Sequence, residues 1–293
     1  MEKVQFKGIF WLILASFFYG FYGVISRLIG IGFGVFFHSF ARELVIFLIL
    51  LGYLYWKKSL KKIRKVDFKW FVLLGILNTI SNVASFVSYN SLAIGVVLFI
   101  FYASSTLGNY FLGRFFFRER LTTTKLISLV ICFIGLLMVF ISSFVKTDLL
   151  FLFLSSIAGL SAGGYYVFSK KISSKYPLAE IFCLVSLISV IVALPLIIIL
   201  KEPISFPGLS VSWVALFFYA LIAIGANLSV VNGFRYLQAQ IGSLTMLLEP
   251  VFGILFGWIF FKENLTFVSL SGGILIMIGC LLPNLLTIMK QRR

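Results

Sequence analysis

A chain of 293 residues that is 61% hydrophobic and only 12% charged falls outside the range of soluble globular domains. Its net charge of +16 would suit a nucleic-acid surface, but a mean hydropathy of +1.11 leaves no folded soluble face to carry one. Nucleic acid is therefore excluded as a partner, and the lipid bilayer takes its place.

Apolar runs of about 20 residues recur, each able to cross a hydrocarbon core of roughly 30 Å. The alternating pattern of a lipid-facing barrel is missing. In chain order the runs predict ten spans, near residues 8–28, 34–56, 68–90, 94–117, 125–144, 149–169, 178–200, 212–234, 240–261 and 266–288. The first, MEKVQFKGIFWLILASFFYG, starts basic but continues into a full span without an A-x-A site, so a retained helix is expected. Connections are short and leave no room for a soluble domain. Cys132, Cys183 and Cys280 all lie in apolar stretches and read as small buried hydrophobes.

Charge placement sets an expected orientation. With a cytoplasmic N-terminus, inner loops, adjoining helix ends and tails hold twenty Lys and Arg, including the KKSLKKIRK run, Arg114, Arg118, Arg120, Lys125, Lys170, Lys171 and Lys175. The outer side holds four, Arg27, Lys146, Lys201 and Lys262, so both termini are expected in the cytoplasm.

Two phrases recur. GRFFFRERLT at 113–122 closes span 4, and GWIFFKENLT at 257–266 closes span 9, 144 residues later. The first copy opens with Ala15, Gly20, Tyr22, Ser26 and Arg27, and the second with Ala158, Gly163, Tyr165, Ser169 and Lys170, 143 residues on. Gly135 and Gly279 match at the far ends. The unit is therefore five helices, dividing the chain into 1–146 and 147–293. Five is odd, so the second copy enters from the opposite side. The expectation is an all-α polytopic membrane protein, ten helices in two inverted five-helix repeats. Inverted halves that exchange shapes open a central cavity to each side in turn.

This pattern resembles the drug/metabolite transporter superfamily, specifically EamA-type carriers, across essentially the whole chain. The residues carrying the resemblance are Glu119-Arg120-Leu121-Thr122 with Gly135, Glu249-Pro250, and Glu263-Asn264-Leu265-Thr266 with Gly279. Arg42 in span 2 also looks like that family. The first copy departs where a Pro is expected in mid-span 4, which here reads Ser104-Ser105-Thr106. The resemblance implies a carrier of small metabolites, amino acids among them.

Glu119 and Glu263 sit at membrane boundaries, where Thr122 and Thr266 can cap the next helix and an acid suits its positive end. Charges within spans are costlier, roughly 3 kcal/mol or more at mid-membrane, and persist when paired or used. Arg42 and Glu43 lie about eight residues into span 2, and Glu249 about nine into span 9. Glu180 and Arg114 fall near helix ends, where snorkelling suffices. His38 shares a face with Arg42, whereas Glu43 points about 100° away, so the neighbouring pair is not expected to neutralise itself. Two readings remain open. One is a structural interhelix ion pair; the other has Arg42 holding an anionic group while Glu249 or Glu43 binds an amine or a coupling proton.

Pro250 is the expected hinge of span 9. Asn78, Asn82 and Asn90 in span 3 and Asn227 and Asn232 in span 8 form a second polar set, with Asn82 and Asn227 matched 145 residues apart. They serve either as interhelical hydrogen bonds or as cavity lining, and Tyr22, Tyr102 and Tyr165 can line the same space. GLSAG at 159–163 fits both a nucleophile elbow and G-x-x-x-G helix packing; Ser161 and His38 lie at depths that cannot meet, so packing is expected. No Walker loop or metal motif occurs, and no cofactor is expected. The resulting expectation is a secondary carrier, not an enzyme, exporting a small amphipathic metabolite across the cytoplasmic membrane. Cationic drugs are the alternative cargo, and a non-transporting membrane scaffold is the alternative class.

Overall fold

The structure is a computed structural model that describes residues 2–22, 24–25, 35–59, 62–89, 91–92, 94–141, 148–199, 201–202, 211–262 and 266–291. Ser26, Arg27, Asn90, Lys61, Lys146, Glu263, Asn264, Leu265, Arg292 and Arg293 lie outside the described residues, as does the division at 146 and 147.

The described residues form helices α1 (Glu2–Gly20), α2 (Val35–Trp56), α3 (Lys65–Tyr89), α4 (Ile94–Phe117), α5 (Thr123–Phe140) and α6 (Leu149–Ser169). They continue as α7 (Leu178–Ile199), α8 (Val211–Tyr236), α9 (Ala239–Met246), α10 (Leu248–Phe261) and α11 (Phe267–Gln291). Eight stretches are long and apolar enough to cross a membrane, α9 and α10 together making one of them. Two shorter apolar helices, Val4–Gly20 and Phe267–Pro283, complete the predicted set.

Local chemistry explains where the helices start and stop. The Thr122 hydroxyl accepts from the Lys125 amide at 3.4 Å at the start of α5, and Thr266 accepts from Ser269 at 3.1 Å at the start of α11. The capping role expected of these two threonines is thus present in both copies. Asp148 caps α6 by accepting from the Leu150 amide at 2.9 Å. Among the described residues four non-glycine positions have positive φ: Lys58, Arg118, Lys201 and Lys262, at 48°, 52°, 50° and 54°. All are basic and all end helices. They form two repeat-related pairs, 143 and 144 positions apart. Each turns the chain sharply through a left-handed residue at a helix C-terminus, an end whose dipole favours a basic residue.

Packing repeats the sequence duplication. Helix α3 packs on α6 as α8 packs on α1, and α4 packs on α6 as α10 packs on α1. Helix α5 pairs with α11 and α2 with α7, each being the other's copy. Exchanging the halves leaves this scheme unchanged. The α5–α11 seam shows it atom by atom. The Cys132 thiol donates to the Ile276 carbonyl, 144 residues on, so a residue touches its own counterpart. A Cβ at Gly135 would stand 2.7 Å from the Gly272 carbonyl, and one at Gly279, the counterpart of Gly135, would stand 3.1 Å from the Ser128 carbonyl, the counterpart of Gly272. Only glycine allows this approach.

GLSAG acts as helix packing. A Cβ at Gly159 would collide with the Phe101 carbonyl of α4, and one at Gly163 would lie 2.9 Å from the Ser105 carbonyl. The copy on α1 does the same: the Ser16 hydroxyl donates to the Thr245 carbonyl at 3.4 Å, and a Cβ at Gly20 would lie 2.7 Å from Phe252 Cβ. Many phenylalanines, such as Phe10, Phe111 and Phe153, are exposed on the outer surface, as lipid-facing filler should be. The three cysteines are buried and form no disulfide among the described residues.

Candidate functional site

Span 9 is broken rather than merely kinked. Helix α9 ends at Met246, Leu247 turns with φ −66° and ψ −4°, and α10 restarts at Leu248. Pro250 causes the break. It cannot donate to the Met246 carbonyl, and its ring clashes there, so the helix is interrupted four residues upstream. The carbonyls on the α9 side of the break find other donors: Cys280 serves Leu244, and Ser16 serves Thr245. In the first copy, Ser105 and Thr106 stand in the places of Glu249 and Pro250. Helix α4 runs through them unbroken, with the Ser104 hydroxyl bonded back to the Ile100 carbonyl at 2.6 Å.

Glu249 therefore sits in the first turn of α10, partly buried, where its charge meets a positive helix end. Tyr102 hydrogen-bonds to its carboxyl. The two share a small cavity with Phe101, Ser105, Thr106, Asn109, Tyr166, Ser243, Met246 and Leu247, with room on the order of one water molecule. Helices α4, α6, α9 and α10 bound it.

A second cluster forms on α2. The Arg42 guanidinium donates to Glu43 Oε1 at 2.8 Å, with both side chains buried. This corrects the expectation that neighbours 100° apart on a helix would not neutralise each other. The backbone cylinder has a radius of only about 2.3 Å, so a long Arg side chain readily bends around it. Asn78 Nδ2 also reaches Glu43 Oε1, at 3.3 Å, and the Ser189 hydroxyl at 3.1 Å. The guanidinium lies 5.5 Å from the Tyr219 ring centre, while the Tyr22 and His38 rings stand 4.4 and 5.9 Å from the same ring. Among the described residues Arg42 forms no ion pair with Glu249. Tyr22 links the clusters, being within electrostatic reach of Arg42, Glu43 and Glu249. Tyr19 reaches Glu249 and Tyr166 in the same way.

The remaining predicted residues lie elsewhere. Asn227 is buried and turns back on its own helix, donating to the Ala223 carbonyl at 3.0 Å. Asn82 is half-buried and outside the cavity wall. Tyr165 is buried next to Tyr166 but does not line the cavity, and its hydroxyl has no partner among the described residues. Sequence reasoning passed over Asn109, Tyr166 and Ser243. Of these Asn109 lies one turn beyond Ser105, on the face that the structure turns toward Gly163.

Two boundary carboxylates also differ from expectation. Glu180 does not snorkel: it is 1% exposed in the first turn of α7. Glu119 caps a helix, but not the adjoining α5. It accepts from the amides of Ala239 at 2.8 Å and Gln240 at 3.3 Å, at the start of α9, and from Lys170 Nζ at 3.0 Å. Lys125 sits beside it, held by Gln240, Gln238 and the Arg120 carbonyl. Nearby, Asp67 gathers Arg64, Lys175 and the Tyr176 hydroxyl at 2.9, 2.7 and 3.0 Å. Both clusters tie the two halves together at one end of the bundle. At the other end Glu202 caps α2, accepting from the Phe36 and Phe37 amides at 3.0 and 2.7 Å.

A twofold-related helical bundle with one broken span, a carboxylate at the break and a cavity beside it has the build of a membrane carrier. The model of the EamA-like transporter family matches twice, over residues 6–141 and 149–285, and the chain belongs to that family. It is a multi-pass membrane transporter of the drug/metabolite type. Its fold is similar to that of a solved protein described only as "Crystal structure of protein", with a TM-score of 0.78 at 15% identity, covering 97% of this chain and 99% of that one. At that identity the likeness speaks for the fold alone. No curated protein matches the sequence.

Proposed function

We propose that this transporter moves a small amine-bearing amphipathic metabolite, an amino acid or a related compound, outward across the cytoplasmic membrane by alternating access. The observation that carries the reading is the break at Leu247, which places Glu249 at a helix end beside the cavity. Discontinuous spans near the midplane are where secondary carriers bind their cargo. Glu249 takes the amine or a coupling proton. The Arg42–Glu43 pair faces the carboxyl end of the substrate through Tyr22. The two five-helix units divide near residue 146, enter from opposite sides and exchange shapes, with both termini in the cytoplasm. The self-pairing of α5 with α11 and of α2 with α7 supports that exchange.

The test is flux in proteoliposomes. Labelled neutral amino acids should exchange while ethidium does not, and a pH gradient should drive uptake that Glu249→Gln abolishes. Absence of any amino-acid exchange would reject the cargo; full gradient-driven flux in Glu249→Gln would reject the site. The tyrosines near Glu249 favour a second reading, in which the cargo is a cationic drug held at the same carboxylate. Ethidium transport without amino-acid exchange would select it. A scaffold without transport would tolerate both Arg42→Ala and Glu249→Gln.

A further inference from the structure

Asn109 is 1% exposed, and among the described residues neither the nitrogen nor the oxygen of its amide has a hydrogen-bond partner. Native proteins keep few such groups, so each one calls for an explanation. This amide is on the wall of the Glu249 cavity, one turn beyond Ser105. Its place is kept by glycine: a Cβ at residue 163 would stand 2.7 Å from the Asn109 amide oxygen. The counterpart of Asn109 in the second copy is Gly253, and a Cβ built there meets nothing within 4 Å. The two halves therefore face the cavity with different chemistry. One brings a carboxylate, the other a carboxamide with a free donor and a free acceptor.

We infer that Asn109 is a specificity-determining residue of the transport site, reading a hydrogen-bonding group next to the amine that Glu249 holds. The inference rests on the proposed role of Glu249 in binding an amine. It narrows the substrate class to amines with an adjacent carbonyl, carboxamide or hydroxyl. A bare alkylammonium satisfies the carboxylate but leaves the buried amide unpaired. Sites built around a buried hydrogen-bonding group discriminate strongly against analogues that lack its partner.

The experiment compares two labelled probes that differ only by a carboxamide group, leucinamide and 3-methylbutylamine, in proteoliposomes of the full chain. The wild-type protein should favour leucinamide in kcat/KM by roughly tenfold or more. Asn109→Leu, of similar size but without an amide, should bring the ratio near one by slowing leucinamide while 3-methylbutylamine keeps its rate. The ligand-free Asn109→Leu protein should also unfold no earlier than wild type. An unchanged probe ratio in Asn109→Leu, with both probes moving, overturns the assignment of Asn109 alone. A loss of thermal stability in the variant makes Asn109 structural and overturns it as well. Failure of the wild type to move either amine overturns the amine reading of Glu249 and this inference with it.

Discussion

Replacing Glu119 by Ala removes three bonds at once. The Ala239 and Gln240 amides lose their acceptor at the start of α9, and Lys170 loses its counter-charge. Each stranded amide costs about 1 kcal/mol. A fully buried ammonium left alone would cost about 3–5 kcal/mol. Lys170 keeps the Leu237 carbonyl at 2.9 Å and a side chain 15% exposed, which reduces its share to about 1–2 kcal/mol. The sum is about 3–4 kcal/mol. Glu119→Gln keeps a neutral acceptor for one amide and should cost about 1–2 kcal/mol. Thermal unfolding of the detergent-purified variants, followed by tryptophan fluorescence, orders them: wild type, then Gln, then Ala. A cycle with Lys170→Met sharpens the test. The double variant Glu119→Gln/Lys170→Met should be less destabilised than the sum of the singles, because no uncompensated charge remains. Equal midpoints for Glu119→Ala and wild type, or strictly additive losses, would show that the carboxylate does not hold the two halves together.

Two further outcomes follow from the geometry. Gly159→Leu should abolish accumulation of folded protein, since any Cβ there strikes the α4 backbone, whereas Gly52→Ala should be tolerated because nothing lies within 4 Å of its Cβ; detergent-extractable yield reads both, and a well-folded Gly159→Leu protein would contradict the α4–α6 packing. Arg118→Cys and Lys262→Cys occupy exposed, equivalent helix ends; a membrane-impermeant maleimide on oriented vesicles should label them from opposite faces, and labelling from one face would end the inverted arrangement.

The spans and the duplication were legible because both are one-dimensional. An apolar run announces its own length, and an offset of 144 residues can be read without knowing what touches what. The pairings at the basic end were not legible. Glu119 meets Ala239 across 120 residues, and Asp67 meets Lys175 across 108. No local pattern links these positions, since helix packing alone brings them together. Arg42 and Glu43 failed for a different reason: helical angles describe Cβ directions, and a side chain with four rotatable bonds is not bound to its own. Asn109 lacks the polar match across the repeat that Asn82 has in Asn227, since Gly253 stands at its counterpart. Only the missing partner distinguishes it, and a missing partner is a three-dimensional fact.

The duplicated halves have diverged least where they pack and most where they face the cavity. Glycines and caps keep their counterparts: Gly135 with Gly279, Gly163 with Gly20, Thr122 with Thr266, Lys58 with Lys201. Around the cavity, Ser105, Thr106 and Asn109 have Glu249, Pro250 and Gly253 as their counterparts. Two of these substitutions act on the same helix in the same direction. Pro250 removes an amide and so separates α10 from α9, and Gly253 removes a side chain one turn further on, while α4 keeps every amide and adds the Ser104 back-bond. Two interchangeable halves with identical linings would give inward and outward states of equal energy and a site of twofold chemistry. Placing Glu249 and the break in one half alone removes that degeneracy. Under the proposed mechanism, then, a substrate with two unlike ends is held in one orientation by the α4 and α10 walls, and the difference between those two helices gives the inward and outward states unequal energies.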